Sequence, residues 1–162
     1  KKIISSIKSI ASIHDLLSKN ENGGSIINLK VILETLVYNT ENNDIKFNMK
    51  LEDVFISYSK ATSFAIVVNE LLTNVIKHAY KNVTKDYEKI VGVDLKMIED
   101  DIVLIMKDNG IGIPEDFNLK STNSVGVRIV NGIISNDFQG NIYFSIDNGT
   151  TVKIIAPRKW MI

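Results

Sequence analysis

The chain has 162 residues, 44% of them apolar and 23% charged, which suits one ordinary domain with a real core and at most a helical appendage. Lys and Arg balance Asp and Glu at a formal net charge of zero, and no basic cluster dominates any segment, so the electrostatic case for nucleic acid or an anionic membrane is missing. With no cysteine, no apolar run of about eighteen residues and no signal-peptide layout, the sequence reads as soluble and cytoplasmic, without disulfides, thiolate metal sites or direct membrane contact.

Ile3, Ile7, Ile10, His14 and Leu17 are spaced four, three, four and three, a heptad seam that predicts a helix packed on another helix, with His14 half-buried in it. The chain opens on Lys1 rather than methionine and enters this pattern directly, so it reads as a piece of a longer protein with any sensor or membrane part upstream. Asn22-Gly23-Gly24-Ser25 stops the helix, which sets a first segment at 1–21 and a second at 26–162. Asn28 is placed to cap a short helix reaching about Tyr38, and Thr40 to Asp44 reads as a polar turn. Ile45 to Leu51 alternates like a strand and Val54 to Ser57 continues the extended pattern.

A long helix follows from about Lys60. Phe64, Ala65, Val68, Leu71, Leu72, Val75, Ile76 and Ala79 form one apolar stripe, which puts Glu70, Asn74, Lys77 and His78 on the opposite face at steps of three and four. A carboxylate, an amide, an ammonium and an imidazole gathered there suit a magnesium-bound polyphosphate. Asn74 offers a neutral oxygen that can share the ion with phosphate without adding negative charge. Taken alone, each is also an ordinary solvated helix residue.

Ile90 to Ile98 and Ile102 to Met106, joined by Glu99-Asp100-Asp101, read as a hairpin. The second strand runs into Asp108-Asn109-Gly110-Ile111-Gly112. A carboxylate at a strand end can accept a hydrogen bond from an exocyclic amine such as that of adenine, and the glycines let backbone approach the base. An aspartate before glycine is equally common in plain turns. Pro114 to Asn123 is a polar loop. Residues 125 to 135 read as a helix in which Gly126 opens a phosphate-favouring N-terminus near Val127, and Asn141 to Ile146 with Thr151 to Ala156 make a last hairpin about Asp147-Asn148-Gly149. Tyr80 and Phe117 read as structural.

The order of Asn69-Glu70-Leu71-Leu72-Thr73-Asn74, Asp108-Asn109-Gly110-Ile111-Gly112, Ser124-Val125-Gly126-Val127-Arg128 and Gly149-Thr150 resembles the ATP-binding domain shared by sensor histidine kinases, DNA gyrase, Hsp90 chaperones and mismatch-repair ATPases, over about residues 60 to 157. Within that superfamily it is most similar to histidine kinases with a short lid and a glutamate in the asparagine box, and Ser12-Ile13-His14-Asp15-Leu16-Leu17 resembles the end of their second dimerisation helix. Val125 and Val127 stand where that family usually has leucine.

The resemblance implies an α+β fold, a two-layer α/β sandwich of the histidine kinase ATPase type. Its sheet is mixed and largely antiparallel, with helices on one face and an N-terminal helix before it. It implies ATP and magnesium as cofactors, with Asn74 as magnesium ligand. Lys77 offsets phosphate charge, His78 lies beside the base or ribose, and Asp108 holds the adenine amine with Thr150 sharing a water. Gly110, Gly112 and Gly126 shape the pocket. Glu70 either positions the metal's waters or assists deprotonation of the acceptor. The activity implied is ATP-dependent protein-histidine kinase, relaying phosphoryl from a histidine to a response-regulator receiver domain within a homodimeric parent. The accepting histidine of that family sits on the first dimerisation helix, and nothing like its box is present here. His14 beside Asp15 has some look of an acceptor, but its setting matches the second helix. An anti-sigma-factor-type serine kinase and a non-enzymatic nucleotide-binding dimerisation module are the alternatives.

Overall fold

The computed structural model describes residues 2–18, 26–40, 44–83, 86–114, 117–119 and 122–162. The first segment is helical as its spacing predicts, α1 (Lys2–Ser18). Among its described side chains the expected seam holds at Leu17 and fails at Ile10 and His14. Ile13 and Leu17, one turn apart, join the core, whereas Ile10 is 61% exposed and His14 faces outward. Both sets fit a helical period, and what decides between them is the surface that α1 meets. The Gly23-Gly24 stop lies outside the described residues, as does most of the 40–44 turn.

A three-residue strand missed by the pattern reading, β1 (Ile26–Asn28), leads into α2 (Leu29–Tyr38). Asn28 caps α2 as expected: its Oδ1 accepts from Lys30 N at 3.1 Å and from Val54 N at 3.3 Å, while Nδ2 donates to Asp53 Oδ1 at 2.8 Å. Leu29, Ile32, Leu33, Leu36 and Val37 are its buried side, and α1 packs on it. Next come β2 (Ile45–Leu51) and β3 (Phe55–Ser57); β3 pairs antiparallel with β1 in a small separate sheet. A three-residue strand is too short to show a period, which is why β1 left no trace in the sequence pattern.

The long helix α3 (Tyr58–Asn74) does not end in a regular turn. It widens into a π-turn over Val75–Ala79. Val67 is fully buried although it lies outside the expected stripe, and Ile76, expected in the stripe, is 37% exposed. The wider i→i+5 turn breaks the 3.6-residue spacing from Val75 onward. Two antiparallel strands follow, β4 (Lys89–Ile98) and β5 (Asp101–Asp108), then α4 (Val125–Gly132) with its own π-turn at Ile133–Asp137, and the hairpin of β6 (Asn141–Ile146) and β7 (Thr150–Pro157). The helix read over residues 125 to 135 begins at Val125 as expected, where the Ser124 hydroxyl caps it by accepting from Val127 N at 3.4 Å.

The main sheet has the order β2-β4-β5-β7-β6, parallel between β2 and β4 and antiparallel elsewhere. The period-two alternation explains which face is covered. Val93 and Leu95 of β4, Leu104 and Met106 of β5 and Ile154 of β7 are buried in register, while Asp94, Lys96, Lys107 and Lys153 of the intervening rows are half-buried or exposed. Helices α2, α3 and α4 contribute to the one core cluster on the covered face, with Ile13 and Leu17 at its margin. The result is the α+β two-layer architecture expected. Among the described residues no helix is long and apolar enough to cross a membrane.

Candidate functional site

A cavity of about 360 Å³ opens where the C-terminal end of α3, the end of β5, the loop after it, the start of α4 and the β6–β7 hairpin meet. Asn74, His78, Asp108, Gly112 and Thr150 line it, so five of the residues singled out in the sequence are brought together. The rest of its wall is mainly apolar, from Leu71 and Val75 on the helix side to Met106 and Val152 on the sheet. A mostly apolar slot with one buried carboxyl group suits a flat heteroaromatic ring that carries a hydrogen-bond donor.

Asp108 supplies that carboxyl group. It is the last residue of β5 and only 5% exposed, and its Oδ1 accepts from Gly110 N at 2.9 Å and from Thr150 N at 3.2 Å. Both bonds land on the same oxygen, so neither engages Oδ2. Thr150, at 8% exposed, is thus tied to Asp108 through its backbone. Gly110 is required by close approach: a Cβ there would overlap the carbonyl of Ala79, and Ile111 N donates to that same carbonyl at 2.8 Å. The π-turn therefore presents Ala79 O to the glycine turn and joins α3 to β5 at the cavity floor.

Asn109, adjacent to Asp108, makes three side-chain hydrogen bonds of its own. Its Oδ1 accepts from Ile90 N at 2.9 Å and from the Tyr80 hydroxyl at 2.8 Å, and its Nδ2 donates to Glu88 O at 2.8 Å. Tyr80 also reaches Ile90 O at 3.0 Å. Burial, with the negative charge of Asp108 second, pushes the Tyr80 hydroxyl up to about 12.

The remaining expected residues sit at the rim. Glu70, half-buried one turn before Asn74, places Oε2 against Gly126, where a Cβ would collide with it. Gly126 is the second residue of α4, so this carboxyl group lies over the first turn of that helix. Lys77 is exposed and outside the cavity wall, whereas Lys81, past the π-turn, is part of it. Phe117, read as structural, lines the cavity and packs its ring 5.2 Å from that of Phe144, another wall residue. A lone phenylalanine in the polar 114–123 loop was the available signal for Phe117; for Phe144 and Asn109 the sequence offered none.

Among the described residues no group of three or more His, Asp or Glu forms a metal cage. One amide at Asn74 with Glu70 a turn away fits magnesium, which keeps waters and takes most of its contacts from substrate phosphates.

Residues 59–159 match the family model described as histidine kinase-, DNA gyrase B-, and HSP90-like ATPase. The sensor histidine kinase PdtaS of Mycobacterium tuberculosis is 24% identical over 158 residues, 93% of this chain and 31% of that protein. The sensor protein LytS of Staphylococcus epidermidis is 33% identical over 106 residues, 57% of this chain and 17% of that protein. The chain thus spans less than a third of the length of the curated relatives it matches. Among solved structures, the histidine kinase domain of a blue-light activated histidine kinase from Erythrobacter litoralis superposes with a TM-score of 0.83 at 19% identity, over 98% of this chain and 76% of that one.

Proposed function

The chain belongs to the histidine kinase-, DNA gyrase B-, and HSP90-like ATPase family, and from that premise we propose that it is the ATP-binding catalytic domain of a two-component sensor histidine kinase. Family membership implies an ATP site. The observation that carries the reading further is the placement of a buried Asp108 in one mostly apolar cavity with Asn74 of α3 and His78 of the π-turn that follows it.

In this reading Asp108 accepts a hydrogen bond from the adenine amine, held in place by the Gly110 and Thr150 amides. The apolar wall, with Phe117 and Phe144, excludes water from the base. His78 lies beside the base or ribose. Asn74 would hold magnesium, and the ion would supply positive charge against the phosphates. Lys77 and the rim residue Lys81 add positive charge near the phosphates. The backbone amides of the first turn of α4, over which the Glu70 carboxyl group lies at Gly126, receive the terminal phosphate.

The γ-phosphoryl group passes to a neutral imidazole nitrogen of an acceptor histidine: the N–P bond forms, the bond to the bridging β–γ oxygen breaks, and ADP leaves with that electron pair. Glu70, whose carboxyl group lies against Gly126 at the start of α4, would take the imidazole proton or orient the waters of a bound metal. The acceptor lies on a dimerisation helix of the homodimeric parent, and the phosphoryl group moves on to an aspartate of a response-regulator receiver domain.

Calorimetric titration with a non-hydrolysable ATP analogue, with and without magnesium, tests the site. Magnesium-assisted binding is expected; a folded sample that binds nothing overturns the reading. For the chemistry, incubation with ATP and an acceptor helix should yield a phosphoprotein labile to acid and stable to base. Acid-stable label would point to a hydroxyl acceptor instead.

A further inference from the structure

Asp108 and Asn109 are neighbours whose side chains serve opposite sides of the β5 turn. Asp108 lines the cavity, and Asn109 is directed to the junction of α3 and β4. The regular β4–β5 pairing ends at Val91↔Asp108, and beyond it the Asn109 amide replaces the missing strand: Oδ1 for Ile90 N, Nδ2 for Glu88 O, and its own backbone N at 3.3 Å from Ile90 O. One further group enters this arrangement from the helix side. The Tyr80 hydroxyl shares its single hydrogen between Asn109 Oδ1 at 2.8 Å and Ile90 O at 3.0 Å.

We infer that Tyr80 and Asn109 are positioning residues for base recognition: their hydrogen bond fastens the end of the site-bearing helix to the turn that carries Asp108 and so sets the preference for adenine over purines lacking its amine. The inference rests on the reading of Asp108 as the group that meets the adenine amine. A hydrogen bond donated to a buried carboxyl group discriminates between ligands in proportion to how firmly the accepting oxygen is held, since a few tenths of an ångström weaken it and leave room for water. The Gly110 amide within the turn and the Thr150 amide of β7 fix Oδ1 of Asp108, and Tyr80 with Asn109 fixes the backbone from the α3 side. The phenol stays protonated, and therefore a donor, throughout the neutral range. A packing role would need only the ring, which phenylalanine keeps, along with the Lys89 ammonium 5.6 Å from its centre.

The test compares the chain with Tyr80→Phe, Asn109→Asp and Asp108→Ala, titrating each with a non-hydrolysable ATP analogue, the inosine counterpart and inorganic triphosphate, all with magnesium, and recording Tm. Tyr80→Phe should weaken the adenine analogue by about fivefold to tenfold while moving the inosine analogue and triphosphate by less than about twofold, so that selectivity falls. Asn109→Asp retains an acceptor for Tyr80 and Ile90 but faces the Glu88 carbonyl with an oxygen. It should lose selectivity to a similar or smaller degree, and it carries the test should Tyr80→Phe not fold. If the adenine-to-inosine ratio is unchanged in the folded variants while Asp108→Ala collapses it, the positioning role is wrong and base recognition stands. If Asp108→Ala also leaves the ratio unchanged, the base reading fails and this inference with it.

Discussion

Gly149 lies so close to the end of β5 that a Cβ built on it overlaps the carbonyl oxygen of Asp108, and its φ of +130° is one that side chains rarely adopt. Strain and collision act together at this position, and neither neighbour is a flexible side chain. Gly149→Ala should destabilise the fold by about 2 kcal/mol or more and displace the Asp108–Thr150 bond. Gly132, in α4 with open space where a Cβ would go, is the contrast: Gly132→Ala should stabilise by about 0.5–1 kcal/mol. Urea melts of the two variants check this, and similar effects at both positions would contradict it.

Asn74→Ala should abolish the magnesium-dependent part of nucleotide affinity, a loss of about tenfold or more, without lowering Tm by more than a degree or so. Asn74 is half-buried on the cavity side of α3, away from the apolar stripe, so its truncation removes little packing. Unchanged affinity with and without magnesium would remove it from the metal site.

The start of α3 is fastened by Lys60, whose Nζ donates to Asp137 O at 2.7 Å and to Asp137 Oδ1 at 2.6 Å. The Lys60 hydrogen bond, helped by one from Ser63 and opposed by burial, holds the Asp137 carboxyl below its usual 3.8. A depressed carboxyl contributes stability above its unfolded value that is lost as pH falls through the folded one. Lys60→Met should therefore cost about 1 kcal/mol at pH 7, discounted for the pair's partial exposure, and the gap from wild type should narrow below 3.8. Denaturant midpoints across that range decide it.

Tyr80 gives the opposite sign. Its folded value is raised from 10.0 to about 12, so its contribution is full below pH 10.0 and is lost as pH rises towards about 12. Melts in alkali should show wild type losing stability across this window while Tyr80→Phe, which has nothing to titrate there, changes less. Parallel curves would mean the hydroxyl is not held as described.

The elements whose period runs for several turns or residues were legible: the capped α2, the apolar side of α3 as far as Leu72, and both β hairpins. The misreadings share a cause, namely backbone or neighbours that periodicity does not encode. A π-turn moved Ile76 into solvent; β1 was too short to alternate; and in α1 the core took Ile13 with Leu17 in place of Ile10 and His14. Within the cavity, Asn74 and His78 were visible from the polar face of a helix, Asp108 and Gly112 from the turn that ends an apolar run, and Thr150 only through the family resemblance. Phe117 and Phe144 were not, because aromatic residues look alike in a core and in a binding wall. Asn109 and Tyr80 act through hydrogen bonds between segments distant in sequence.

The parallel pairing of β2 with β4 requires the chain to travel through β3 and the whole of α3 before Ile45 meets Lys89 or Leu51 meets Leu95. The β4–β5 and β6–β7 hairpins close locally, so they can assemble early; the β2 edge, with the helix it brings across the sheet, bears the larger loop-closure entropy and docks late. Nucleotide added during refolding should therefore find no competent partner until that slow step is complete. Its capture then acts as a clock for the last stage of folding rather than for collapse.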